Sequence, residues 1–171
     1  MAVEAMTLYK LITLYMLEKV DFPLTNATVM GFFIDGGYTD YPTVLTVTSV
    51  LQEDHLIDAA SNRSNTSYRI TEQGREMLGF FGNKISDEIK EDVDNYLKAN
   101  RYELKQAANT ISEFYQTTNG DYAVHCCVKE NNSSLIDLTI SVPDEEIADS
   151  MCGKWKSASQ DIYEYIFNKL M

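Results

Sequence analysis

Two groups of residues in this sequence have side chains suited to chemistry. The first joins Tyr38, Thr39, Tyr41, Thr43 and Thr46 to Arg63, inside the turn-rich stretch Ser61-Asn62-Arg63-Ser64-Asn65-Thr66, and to Arg69 just beyond it. Guanidinium groups bind phosphate oxygens through a planar fork of donors and can enter a minor groove. Tyr and Thr hydroxyls reach phosphates or sugars, and a Thr methyl packs on thymine. These are the candidate DNA contacts. The second group is His125-Cys126-Cys127, which has the donor types of a metal or redox site. Alternation along a strand sends Cys126 to one face and His125 and Cys127 to the other, so the three do not converge. His125 with Cys127 makes half a site at most, needing Asp137 or Thr139 from a neighbouring strand. Cys126 falls among Tyr122, Val124 and Val128 as a small buried hydrophobe. No metal and no cofactor is expected.

Catalysis has little to work with. The chain has two histidines and no HExxH, nucleophile elbow, P-loop or GxGxxG; Gly36-Gly37 reads as a helix stop. Asp87-Glu88 and Asp144-Glu145-Glu146 stand at helix starts, where the dipole favours acids. An enzyme is not expected.

The DNA candidates need a frame of helices and a hairpin. Met6, Tyr9, Leu11, Ile12, Leu14 and Leu17 predict a first helix buried on most of its circumference. Phe22-Pro23-Leu24 breaks it and can form a short strand, after which Thr25 or Asn26 caps a helix through Val29, Phe32, Phe33 and Ile34. Asp40 or Tyr41 opens a third helix with Pro42 in its first turn. Val44, Val47 and Leu51 form its inner stripe with Thr48 between, leaving Thr43, Thr46 and Ser49 outward. Leu56 and Ile57 open a strand, Tyr68-Arg69-Ile70 alternates as a second, and Thr71 caps a fourth helix. Helix end, strand, polar hairpin, strand, helix start is the order of a winged-helix wing, and the third helix takes the recognition position.

Gly79 to Ser86 reads as a hinge, with Phe80 and Phe81 anchoring the preceding helix. This divides the chain into a winged-helix DNA-binding domain, 1–84, and an α+β dimerisation or sensing domain, 85–171. A fifth helix from Ser86 turns Ile89, Val93, Tyr96 and Leu97 inward and leaves Glu91, Asp92 and Asp94 as a wet face. Thr110 to Thr117, Tyr122 to Glu130 and Leu135 to Val142 read as an antiparallel meander joined at Asn119-Gly120 and Asn131-Asn132. From Pro143 a final helix carries Ile147, Met151, Trp155, Ala158, Ile162, Tyr165, Ile166 and Leu170 at helical spacing.

Composition bounds the rest. A chain of 171 residues, 44% hydrophobic, can fill one core or two small ones. Three cysteines without CxxC spacing fit a reducing, cytoplasmic setting, and no apolar run reaches the ~20 residues of a membrane span. The net charge of −12 repels nucleic acid at long range. Most of that acidity lies after residue 85, so DNA affinity must be local to Arg63, Arg69 and Arg75.

Leu24-Thr25-Asn26, Gly37-Tyr38-Thr39-Asp40-Tyr41, Tyr68-Arg69-Ile70-Thr71-Glu72-Gln73-Gly74, Lys129-Glu130-Asn131-Asn132, Leu135-Ile136-Asp137, and Cys152 with Trp155 follow one another in an order that resembles DUF4364, a bacterial winged-helix family of unknown function. The wing is also similar to that of PadR- and MarR-type regulators, although the third helix departs from them in being uncharged. The resemblance implies a winged helix-turn-helix followed by a small antiparallel-sheet domain, an α+β fold, and a role in transcription. The expectation is therefore a cytoplasmic, homodimeric regulator that binds double-stranded DNA and does not enter a membrane, with any effector ligand unknown. The alternative is a winged helix used as a protein-protein interaction module, its acidic C-terminal domain docking on a basic partner.

Overall fold

The computed structural model describes residues 2–61, 65–131 and 133–171. The protein is α+β, with two small antiparallel sheets and a long C-terminal helix. It divides into two compact units, one of residues 2–61 and 65–105 and one of residues 106–171.

In the first unit, α1 (Ala2–Glu18) is the central rod. Leu11, Ile12, Thr13, Leu14, Met16 and Leu17 are all buried, which realises the all-round burial expected of it. α2 (Asn26–Asp35) follows the two-residue strand β1 (Leu24–Thr25), and of its two candidate caps Thr25 takes the role, its hydroxyl accepting from the Thr28 amide. α3 (Tyr41–Glu53) is capped by Asp40, which accepts from the Thr43 amide. Val44, Val47, Thr48 and Leu51 are its inner stripe, as the spacing predicts. The hairpin β2 (Ile57–Ser61) and β3 (Thr66–Ile70) joins β1 in a sheet of order β1-β3-β2.

The Thr71 hydroxyl fixes the next junction from both sides. It accepts from the Gly74 amide to cap α4 (Glu72–Phe81) and donates to the His55 carbonyl at the end of the α3 loop. Gly74 is required there, because a Cβ would strike the Leu56 carbonyl and come within 2.8 Å of Ile70 Cγ1. At the other end of α4 the expected aromatic anchor fails: Phe80 is 77% exposed and Phe81 42%. The helix turns its Gly74 side inward instead, and a 3-10 turn (Gly82–Lys84) delivers Ile85, 2% exposed, to the interior.

The first part of α5 (Asp87–Asn109) belongs to this same unit, so compactness divides the chain inside α5 and not at the Gly79–Ser86 turn. Asp92 and Asp94 are exposed, but they are not merely a wet face. Asp92 accepts from the Tyr38 hydroxyl, and Asp94 accepts from Tyr15 and pairs with Lys19. Tyr96 adds a bond to the Thr28 carbonyl.

The second unit holds the meander β4 (Thr110–Gln116), β5 (Tyr122–Glu130) and β6 (Ser133–Val142), with a register shift at Val128/Lys129. α6 (Glu145–Leu170) crosses one face, mainly over β4 and β5; its cap is Asp144, with Pro143 just outside the helix. Phe114, Val124, Cys126, Val142, Ala148, Cys152 and Trp155 close the core between helix and sheet. Trp155 is 4% exposed, and its indole donates to the Cys127 carbonyl at 3.3 Å.

Candidate nucleic-acid interface

The candidate contacts lie on three consecutive pieces of the first unit. Tyr38 and Thr39 occupy the turn before α3, where Gly37 at φ +68° lets the chain reverse. The Tyr38 ring stacks on Phe32 with centroids 5.2 Å apart, and its hydroxyl donates to Asp92. Burial, followed by the Asp92 and Glu88 charges, pushes the phenol up to about 12, so it stays protonated and committed to that bond at neutral pH. Thr39 is half-buried beside it.

On α3 itself, Tyr41 is 54% exposed and Thr46 lies open, while Thr43 is half-buried. Each threonine hydroxyl already donates within the helix, Thr43 to Asp40 and Thr46 to the Pro42 carbonyl at 3.0 Å. A hydroxyl has one proton, so these two present lone pairs outward and must rotate to donate to a phosphate. The Thr43 bonds also hold the Asp40 carboxyl below its usual range, fixing a negative charge at the start of the helix. Leu45, 38% exposed, and Ser49 complete an outer face without a cation.

Arg69 points outward from β3 between the buried Tyr68 and Ile70, as alternation requires. Across the ladder it faces Asp58. Arg63 lies outside the described residues. Three other bases of the unit are engaged: Lys10 with Asp54 at 3.9 Å, Lys19 with Asp94 at 3.5 Å, and Arg75 with Glu18 at 2.9 Å and Glu72 at 3.4 Å. Among the described residues, Arg69 is thus the hairpin base without a carboxylate in ion-pair range. A cleft of about 390 Å³ lies at Glu4, Thr7, Leu8, Leu11 and Lys84, and its walls include none of the candidate contacts.

Residues 9–170 match the family model described as Domain of unknown function (DUF4364). The chain belongs to this family. No curated protein and no solved structure matches it.

The sheet of the second unit supplies this DUF4364 chain with the polar cluster the sequence half-anticipated. His125 stands on the middle strand, on the face opposite α6, with Nε2 2.8 Å from Asp137 Oδ1 on β6 and Nδ1 3.2 Å from Glu113 Oε1 on β4. Burial alone lowers the imidazole's affinity for protons, but the bonds to Asp137 and Glu113 outweigh it and hold its pKa above the usual value. Glu113 went unread because it joins His125 only through the β4–β5 register. Thr139 is the register partner of His125, and Cys127 is buried with Sγ 3.7 Å from Ser134 Oγ. The two carboxylates take opposite nitrogens, so they brace the three strands; no cluster suited to a metal ion occurs among the described residues. Cys126 is buried, and that burial, with the nearby Cys152, pushes its thiol up to about 11, which makes it a poor nucleophile. Among the described residues, no helix is long and apolar enough to cross a membrane.

Proposed function

We propose that this protein is a cytoplasmic transcriptional regulator whose first unit is a winged helix that binds double-stranded DNA, α3 lying in the major groove and the β2–β3 hairpin acting as a wing of the PadR or MarR kind. The observation that carries the reading is topological. A short strand between the first two helices pairs with the returning strand of the hairpin, in the order β1-β3-β2, leaving the outer face of α3 and, on the hairpin that follows it, outward-facing Arg69. The residues assigned to DNA are Tyr41, Thr43, Thr46, Arg63 and Arg69, with Tyr38 and Thr39 shaping the turn before α3. Because α3 has no Arg, Lys or Asn on its outer face, it reads bases weakly, and phosphate contact dominates the affinity. Retention of pooled genomic fragments at low salt tests this. The parent protein should retain DNA, and an Arg63→Ala, Arg69→Ala double variant should lose it while melting at the same temperature, since exposed charges contribute little to folding.

One observation favours a second reading, a protein-interaction module. Ile34, Tyr41 and Leu45 are 44%, 54% and 38% exposed at the end of α2 and along α3. Exposed apolar side chains of this size suit a protein partner better than a phosphate backbone. No retention by the parent at low salt would select that reading.

A further inference from the structure

The last helix is longer than the sheet it covers. α6 has 26 residues, ~39 Å at the α-helical rise, whereas strands of seven to ten residues span ~23–33 Å. Its core stripe, Ala148, Cys152, Trp155, Ser159 and half-buried Ile162, continues in phase at Ile166 and Leu170. There the cover ends: Ile166 is 38% exposed, Phe167 50%, Leu170 83% and Met171 90%. A second apolar patch lies at the opposite end of the same unit. α6 sits mainly over β4 and β5, so Ile140 on edge strand β6 is 40% exposed although its register partner Val124 is fully buried. Ile147, in the first turns of α6, is 43% exposed.

We infer that two copies of this chain associate through their α6 helices, packed antiparallel about a two-fold axis, so that the overhang of each covers the Ile140 and Ile147 corner of the other. Antiparallel pairing is the arrangement that brings a helix end beside a helix start, and both patches are apolar. The symmetry centre falls near Ala158, where a small side chain permits close approach; Met151 then faces Tyr165 of the second copy. Charge agrees, because the first turn of α6 carries Glu145 and Glu146 and the last turn carries Lys169, so the pairing places unlike charges together at both ends. A whole aromatic side chain offers ~150–250 Å², of which Tyr165 has about two-thirds still exposed. Tyr165, Ile166, Leu170 and the corner residues together supply a large part of the ~800 Å² per partner of a stable interface. The inference does not depend on DNA binding.

Sedimentation equilibrium of the full chain without DNA tests it. The parent should be a dimer at micromolar concentration. Leu170→Glu and Ile166→Glu should each raise the dissociation constant at least tenfold, with far-ultraviolet dichroism and Trp155 emission unchanged, since both side chains are exposed in one protomer. Lys169→Glu should weaken the dimer severalfold, and adding Glu146→Lys should restore it. A parent that stays monomeric at about 100 µM overturns the inference, whether or not it binds phospholipid vesicles or another protein. So does a dimer indifferent to Leu170→Glu.

Discussion

The first unit buries a knot of aromatic rings at its centre, whereas in the second the rings at the end of the last helix lie outside the core. Phe33 is fully buried, with Tyr9, Phe32 and Tyr38 packed edge-on around it at 5.5–6.4 Å. Tyr165 and Phe167 of α6, by contrast, are 65% and 50% exposed. The second unit closes its core around Trp155 and Phe114 with smaller side chains, Val124, Val142, Ala148, Cys126 and Cys152. One unit has an interior built on packed rings, although Tyr41, Phe80 and Phe81 stay outside it, and the other has a thinner interior with apolar surface continuing along the end of α6. Nucleic-acid contact is proposed for the first unit and self-association for the second, and the difference between the two interiors is what those proposals have to explain.

The comparison breaks most sharply at Trp155. Trp155→Ala removes the largest side chain of the small core and should cost about 3–5 kcal/mol, a large part of a small unit's stability. Limited proteolysis should then degrade residues 106–171 while a fragment containing α1 to α4 and the first part of α5 survives. Loss of both units together would show that the two interiors are not separately stable.

A smaller effect probes how the first unit holds α5. Tyr38→Phe keeps the stacked ring and deletes the hydroxyl bond to Asp92, so it should cost about 1 kcal/mol. An unchanged melting temperature would show that the Asp92 contact contributes nothing to joining α5 to the turn before α3.

The elements were legible where their causes are local. Thr25, Asp40 and Thr71 cap from within three residues, the inner stripe of α3 follows from spacing, and the meander and buried Trp155 follow from alternation and period. What the sequence hid depends on distant partners. Asp92 and Asp94 look like solvated acids until Tyr38 and Tyr15 arrive from residues 54 and 79 positions away. For the same reason α5 reads in the sequence as opening a new domain, while by compactness its first part groups with the helices before it. Phe80 and Phe81 look like anchors by composition, but the helix turns its glycine side inward. Of the candidate site, residue identities and elements were readable. The internal bonds of Thr43, Thr46 and Tyr38 were not, because they depend on rotamers and tertiary neighbours.

A gentler perturbation tests the strand brace of the second unit. His125 has a raised pKa in the folded protein, so its contribution to stability is full below the unfolded value of ~6.5 and is lost as pH rises through the folded value. Unfolding of the second unit should therefore show the parent ahead of His125→Gln at pH 6, with the gap closing as pH climbs above 6.5. A gap that widens with pH would mean that the neutral imidazole is the form the carboxylates hold.

The salt dependence of DNA affinity tests the central claim most directly. Of the described bases between residues 2 and 81, Lys10, Lys19 and Arg75 already have carboxylate partners, so α3 and the hairpin have few cations beside them to release counterions from DNA. Measured on genomic fragments retained at low salt, log affinity against log salt concentration should fall with a shallow slope, about −4 to −5 for a dimer. A slope near −10 would place the binding surface elsewhere on the molecule, and no retention at any salt concentration would contradict DNA binding altogether.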